Sequence, residues 1–265
     1  MGILNVTPDS FSDGGQFDGV ERAVARAREM VRAGADIIDI GGESTRPGAD
    51  VIGQTEELKR VMPVVKALFE KFGDLDAEIS VDTRRPEVAY AAVKAGASIW
   101  NDVTALEFCA GSPAMAAKLG CKIVLMHMRG TPETMQKNPH YKNVVAEVIS
   151  SLKNRMSIAI KAGVKRKNII LDPGIGFGKR LEDNLDLLQH LDDFHILGQP
   201  LLLGASRKSF MGKIDGSTAG DRLGGSIASA LWGASMGASI LRVHDVEETV
   251  QALRVWGAIG ERSHG

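Results

Sequence analysis

The sequence predicts an α/β protein, a (β/α)₈ barrel of the TIM type, with its active site at the C-terminal ends of the strands. Two observations carry this: eight short apolar runs recur along the chain, and segments of helical periodicity alternate with them. The length of 265 residues agrees, since one such barrel takes about 250. A doubly wound open sheet is the alternative, because periodicity does not reveal closure. One domain over residues 1–265 is the simplest organisation, as no linker, low-complexity tract or repeat beyond the βα unit interrupts the series.

The runs are Gly2 to Val6, Asp36 to Ile40, Glu78 to Val81, Ser98 to Trp100, Lys122 to Met126, Asn168 to Leu171, Pro200 to Leu203 and Ser239 to Val243. Rich in β-branched residues and continuously apolar, they suit parallel strands buried on both faces. Helices are expected over Val20–Ala33, Glu56–Phe72, Pro86–Ala95, Pro113–Leu119, Val144–Ala162, Asn184–Leu191, Leu223–Met236 and Val246–Ala258. The first sets Val24, Ala27, Met30 and Val31 against Glu21, Arg22, Arg26 and Arg28, and ends at Gly34. Pro86 suits a first helical turn, and Gly96, Gly120 and Gly163 suit helix ends. Strand one begins at the initiating Met, which leaves nothing before it to close the bottom of the barrel.

A hydrophobic content of 44% is globular, and a net charge of −1 gives no electrostatic case for nucleic acid or another polyanionic surface. Cys109 and Cys121 lack metal-ligand spacing and fit reduced core thiols of a cytoplasmic protein. Neither a signal peptide nor a membrane span is read. The small-residue run Gly224 to Gly237 fits a closely packed helix, against the barrel or against a second subunit.

Chemistry collects where the runs end. Ile37 to Gly48 passes from an apolar strand into G-G-E-S-T-R-P-G, with Gly41 and Gly42 read as the turn that ends it. Ser44, Thr45, Arg46 and Pro47 make a loop suited to an anion, or simply a solvated loop with a helix cap. The other strand ends offer Asn5, Asp39, Asp82, Asn101, Asp102, His127, Asp172, Ser206 to Ser209, Arg242 and His244. A single buried Asp at such a place is usually structural; many polar groups converging on one mouth call for a ligand. Asp82 and Asp172 accept, Asn101 donates and accepts, and Lys208 and Arg242 can meet a ring carbonyl or stack on a ring face. With Ser44, Thr45, Arg46 and His244 on another side, the pocket reads as one for a polar planar ring joined to a phosphate.

The loop Thr7 to Gly15, with Phe11 and Asp13, has the composition of a lid, or of a rigid plug. D-P-G-I-G-F-G-K from Asp172 lacks the G-K-[ST] of a P-loop, because Arg180 follows Lys179. His127, in M-H-M, reads as a satisfied core histidine rather than a metal ligand.

Several motifs resemble one family. G-I-L-N-V-T-P-D-S-F-S-D-G-G from Gly2, D-I-I-D-I-G-G-E-S-T-R-P-G from Asp36, S-V-D-T from Ser80, N-D at Asn101, M-H-M at Met126, D-P-G-I-G-F-G-K from Asp172, S-R-K-S from Ser206 and R-V-H-D from Arg242 are similar to bacterial dihydropteroate synthase. The likeness runs in the family's order from residue 2 to about residue 255. It implies a (β/α)₈ transferase of folate biosynthesis that joins p-aminobenzoate to 6-hydroxymethyl-7,8-dihydropterin diphosphate with Mg²⁺. Asp82, Asn101, Asp172 and Lys208 would hold the pterin, Met126 line its pocket and Arg242 stack against it. Asn5, Thr45, Arg46 and His244 would handle the diphosphate, with Asn5 reaching the metal. Thr45, Pro47, Phe177, Lys208 and Ser209 would frame p-aminobenzoate, and Phe11 and Asp13 close over it. Asp82, Lys208, Arg46 and Asn5 are the expected catalytic set. The resemblance further implies a homodimer through the late helices and a short segment before strand one, and the sulfonamide pocket at Thr45, Pro47, Phe177 and Ser209 looks ordinary. The rival readings are a pterin-binding methyltransferase domain, which has no need for the S-T-R-P loop or S-R-K-S, and a non-catalytic pterin-binding module, against which the intact Asn5, Asp82, Arg46 and Lys208 argue.

Overall fold

The structure, a computed structural model, describes residues 1–7, 16–44, 51–71, 77–131 and 134–261. Its strands are β1 (Gly2–Asn5), β2 (Ile37–Gly41), β3 (Glu78–Asp82), β4 (Ile99–Asp102), β5 (Lys122–Met126), β6 (Ile169–Asp172), β7 (Leu202–Leu203) and β8 (Ile240–Leu241). Each falls within two residues of an apolar run. β1 to β6 pair in sequence order as parallel neighbours, and β7 pairs with β8. Two parallel bridges, Leu171 to Leu201 and Gly2 to Val243, join the two sheets. Ile3 N donates to Val243 O at 2.9 Å and Leu171 N to Pro200 O at 3.0 Å. The ring is closed, so the open-sheet alternative is set aside.

The helices are α1 (Gln16–Arg32), α2 (Gln54–Lys71), α3 (Pro86–Lys94), α4 (Ser112–Leu119), α5 (Val144–Lys161), α6 (Leu181–Gln189), α7 (Ser209–Asp215), α8 (Leu223–Ser235) and α9 (Val246–Glu261). α6 starts three residues before the expected Asn184, because Asp183 accepts from the Arg180 backbone N at 2.8 Å and caps that end. α7 was not expected: at seven residues, with Gly212 inside, it is too short to show a period.

Strand alternation separates two cores. Outward residues such as Leu4, Ile38, Ile40, Val81, Trp100, Leu125, Leu171 and Leu203 join the layer under the helices. Inward residues Met1, Ile37, Ile99, Val124, Ile170 and Leu202, with Ile240 against them, form a smaller cluster inside the barrel. Met1 is therefore part of the floor that was expected to lack a closing residue. Two positions further along the same inward faces come Asp39, Asn101, Met126, Asp172 and Arg242. The period of two that places an apolar floor also places a polar mouth above it.

Two expectations are corrected. Gly41 and Gly42 do not end β2 by an unusual turn, since neither is among the positive-φ glycines. A Cβ on Gly42 would stand 2.7 Å from Val61 Cγ2, so this glycine admits α2 against the strand. Cys109 and Cys121 are free and half-buried rather than core residues.

Ile99 is fully buried in the barrel interior. Ile99→Ala should lower the unfolding free energy by about 2–5 kcal/mol, measured by urea denaturation. A loss below about 1 kcal/mol would mean that the interior layer is not close-packed.

Candidate active site

The mouth of the barrel is organised by one guanidinium. Arg242, just past β8, donates through Nε to Asp39 Oδ2 at 2.6 Å and through Nη2 to Asp82 Oδ2 at 2.7 Å. Asn101 Nδ2 also donates to Asp39 Oδ2, at 3.0 Å. Four strands thus meet through side chains alone. Burial pushes the Asp82 carboxyl up to about 7 against the pull of Arg242, with Asp39, Glu57 and Asp102 adding to the rise. Against its burial, Asp39, Asp82 and Asp172 hold the Arg242 guanidinium firmly charged.

Asp172, buried at the end of β6, accepts from Gly174 N at 2.7 Å. Burial raises its pKa, against that hydrogen bond and the charges of Lys208 and Arg242. Lys208, the residue before α7, holds its Nζ 4.0 Å from the centroid of the Phe177 ring. Burial and Arg242 bring it down to about 8, while Asp172 and Asp82 pull upward. Met126 and Phe177 share one apolar cluster with Val103 and Met135. Asp82, Asn101, Met126, Asp172, Phe177, Lys208 and Arg242 therefore stand together, as a polar set with an apolar wall.

On another side, Asn5 is exposed at the end of β1 and Ser209 is exposed at the start of α7. His244 Nδ1 and Ser206 Oγ lie 3.0 Å apart. A cavity of about 340 Å³ opens between β1, α1 and the loops after β7 and β8, lined by Asn5, Arg22, Arg26, Arg207 and His244 among others. Arg207 pairs with Asp245, Nε to Oδ2 at 2.9 Å, which ties the loop after β7 to the loop after β8. A larger cavity of about 900 Å³, between α5 and α6, lies on the outer flank and holds none of the strand-end groups. Thr45, Arg46, Pro47, Phe11 and Asp13 lie outside the described residues.

Three features escaped the sequence reading. Asp39, one of the strand-end groups, holds both Arg242 and Asn101, partners that nothing near it in the chain names. Arg85 reaches Glu57 at 2.6 Å and Glu43 at 3.1 Å, and also donates to the Ile52 carbonyl. Glu43 itself takes Ile52 N at 3.1 Å, and despite burial Arg85 and Arg84 keep its carboxyl below the usual range. The flanks of residues 45–50 are thereby tied to one another and to α2. Asp102 serves its own loop: it accepts Thr104 N at 2.8 Å, Thr104 Oγ1 at 2.7 Å and Leu106 N at 2.9 Å. Those bonds offset the left-handed backbone of Ala105 and Leu106, at φ 50° and 65°.

A closed parallel barrel with carboxylates, an amide, a lysine and an arginine at its C-terminal strand ends, beside a basic cavity, has a polar concave site where enzymes of the barrel class bind their ligands. The sequence profile of the family described as "Pterin binding enzyme" matches residues 1–244. The chain is 49% identical over 255 residues to the dihydropteroate synthase of Escherichia coli strain K12, covering 96% of this chain and 89% of that one. Among solved structures, Yersinia pestis dihydropteroate synthase in a sulfonamide drug complex superposes with a TM-score of 0.92 at 44% identity, over 98% of this chain and 94% of that one. Xanthomonas albilineans dihydropteroate synthase with 4-aminobenzoic acid gives 0.91 at 48% identity, over 98% and 92%. The chain belongs to the pterin-binding enzymes, in their dihydropteroate synthase family.

The raised Asp82 pKa has a consequence for stability. A carboxyl whose folded pKa lies above its unfolded value of about 3.9 contributes stability below that value and loses it as pH rises toward about 7. Urea unfolding from pH 4 to pH 8 should show this decline, and Asp82→Asn should flatten it, gaining about 1–3 kcal/mol on the wild type at pH 8. Parallel curves for the two proteins would contradict the assignment.

Proposed function

We propose that this chain joins p-aminobenzoate to 6-hydroxymethyl-7,8-dihydropterin diphosphate, releasing diphosphate and 7,8-dihydropteroate. The observation that carries this is the convergence of Asp82, Asn101, Asp172, Lys208 and Arg242 at one barrel mouth, with Asn5 and His244 beside it. The acceptors Asp172 and Asp82 suit the amidine-like donor edge of a pterin, Asn101 suits its mixed edge, and Lys208 suits its carbonyl. Arg242 gives the ring a cationic face and Met126 an apolar wall.

An arylamine is already a free base at neutral pH, so the barrier lies in departure of the leaving group. As the C–O bond breaks, its electron pair leaves with diphosphate and positive charge develops on the pterin methylene. Asp82 stabilises that charge, and the developing cation in turn favours ionised Asp82. The amine nitrogen then bonds to the methylene and gives up a proton to solvent, an SN1-like sequence. Lys208, Phe177, Ser209, Thr45 and Pro47 frame the arylamine, and Phe11 and Asp13 exclude water from the cation. Thr45, Arg46 and His244 hold the diphosphate. Asn5 offers a neutral amide oxygen at an exposed strand end, which suits a hard cation that keeps most of its water and phosphate ligands. Mg²⁺ bound there would supply charge neutralisation on the departing diphosphate.

We place the protein in the cytoplasm; among the described residues no helix is long and apolar enough to cross a membrane. We also propose a homodimer through α8 and α9, supported by the exposed Leu223, Trp232, Val255, Trp256 and Ile259 on those helices. Sedimentation at micromolar concentration should give twice the chain mass, and a monomer throughout would overturn the dimer.

The activity is tested by diphosphate release from dihydropterin diphosphate and Mg²⁺. Release should depend on p-aminobenzoate and match dihydropteroate formed; pterin binding without turnover would instead mean a non-catalytic module. Asp82→Asn should lower kcat by about 10²-fold, and full kcat would remove Asp82 from its role. Sulfamethoxazole should compete with p-aminobenzoate, with an inhibition constant no higher than the Michaelis constant; one far above it would contradict an ordinary sulfonamide pocket.

A further inference from the structure

Lys179 is 2% exposed and lies directly after the glycine-rich turn that follows β6. Its Nζ donates to Gly174 O at 2.8 Å and Phe177 O at 3.0 Å, both on that turn. It also contacts His127 Nδ1 at 3.0 Å and His127 O at 3.3 Å, at the end of β5. Among the described residues no carboxylate is in contact, and the partners of this buried cation are dipoles. Burial accordingly brings the lysine down to about 7, although Asp172 and, more weakly, Asp183 pull it upward. Burial, Lys179 and Arg129 hold His127 down at about 3, so the imidazole is neutral and its Nδ1 accepts.

The turn has no slack. Gly174, Gly176 and Gly178 have φ of 70°, 86° and 65°. A Cβ on Gly174 would stand 1.9 Å from His127 O, and one on Gly178 would stand 2.2 Å from Arg129 O. The chain after β6 is thus pressed onto the chain after β5, and Lys179 joins the two from within. The joined segment also carries the site: Gly174 N orients Asp172, and the Phe177 ring lies under the Lys208 ammonium.

We propose that Lys179 is a positioning residue for substrate, which joins the segments after β5 and β6 and thereby sets the Asp172 carboxylate and the Phe177–Lys208 pair. The inference rests on the reading of this site as one for a pterin and p-aminobenzoate. The contacts of the lysine are to His127, Gly174 and Phe177, so it acts on substrate through the residues it positions. It keeps Phe177 and Lys208 at fixed separation, and so acts on binding of the arylamine more than on departure of diphosphate.

The test uses the full chain. Lys179→Met keeps the stem and removes the donors; it should raise KM for p-aminobenzoate about tenfold with kcat within about threefold. His127→Ala removes one acceptor and should raise KM about threefold. His127→Asn, whose amide oxygen can stand in for Nδ1, should return it to within about twofold of wild type. Hydrogen–deuterium exchange over residues 173–181 should quicken in Lys179→Met and His127→Ala, and this readout does not depend on turnover. Folded Lys179→Met with wild-type KM and wild-type exchange would overturn the inference. So would equal effects of the two His127 variants, which decide the matter if Lys179→Met does not fold. Loss of active fraction with KM unchanged would make the lysine merely structural and would also overturn it. A wild-type chain that fails to turn over, with the exchange differences intact, would refute the substrate reading and leave the Lys179 joint standing.

Discussion

One guanidinium facing two carboxylates is the constraint on which the mouth of this barrel depends. Arg242 sits on the inward face of its strand, two positions above the apolar floor, and its neighbours there are Asp39 and Asp82. Each of these ions would be costly alone in such a place, by several kcal/mol after relaxation. The planar fork of arginine allows Nε to serve one carboxylate and Nη2 the other, which the single nitrogen of a lysine could not do at both angles. Because one positive charge faces two negative ones, a surplus of negative potential remains. Burial raises the Asp82 carboxyl against the pull of Arg242, and the facing Asp39 carboxylate adds to the rise.

The space for a ligand comes from the same alternation. Gly41 and Gly204 stand at strand ends where a side chain would point toward the mouth. A Cβ on Gly41 would lie 3.6 Å from Asp82 Cβ, and one on Gly204 would lie 3.9 Å from Asp172 Oδ2. These are ordinary contact distances, so the glycines are not forced by a clash at Cβ. A longer side chain would instead fill the volume between the carboxylates and Arg242. The floor is made of Met, Ile, Leu and Val, the walls of acceptors and donors, and the opening of glycine.

Much of this was legible in the sequence because parallel strands buried on both faces must be written as continuous apolar runs. Among the described residues, seven of the nine α-helices were found to within two residues at the ends that can be compared, or with a start extended outward, since their periodicity and glycine stops are local signals. α7 was not legible because two turns hold no period. Asp39 was noticed as a strand-end acid, but nothing near it in the chain names its partners, which lie 62 and 203 residues away. Arg85 is similar: its carboxylates are 28 and 42 residues away. Lys179 was weighed as the lysine of a phosphate loop and set aside on the residue after it. Its partners are three backbone carbonyls, which carry no side-chain signal, and the ring of His127, 52 residues away.

The charge imbalance at the mouth bears directly on how such a site could work. A pocket with every carboxylate fully paired would gain little from a ligand that becomes positive during reaction. Here burial raises the Asp82 carboxyl to about 7, with Arg242 committed to Asp39 as well. On the proposed mechanism, a ring whose methylene turns cationic as diphosphate leaves would place positive charge beside Asp82 and stabilise its ionised form. The interaction is strongest at the transition state and weak before it, the difference that accelerates a chemical step rather than merely tightening binding. Rigid support makes that difference usable, because a carboxylate free to swing would relax toward solvent instead. The joint made by Arg242, and the one made by Lys179 on the far side of the mouth, keep the acidic groups fixed while the charge on the ligand changes.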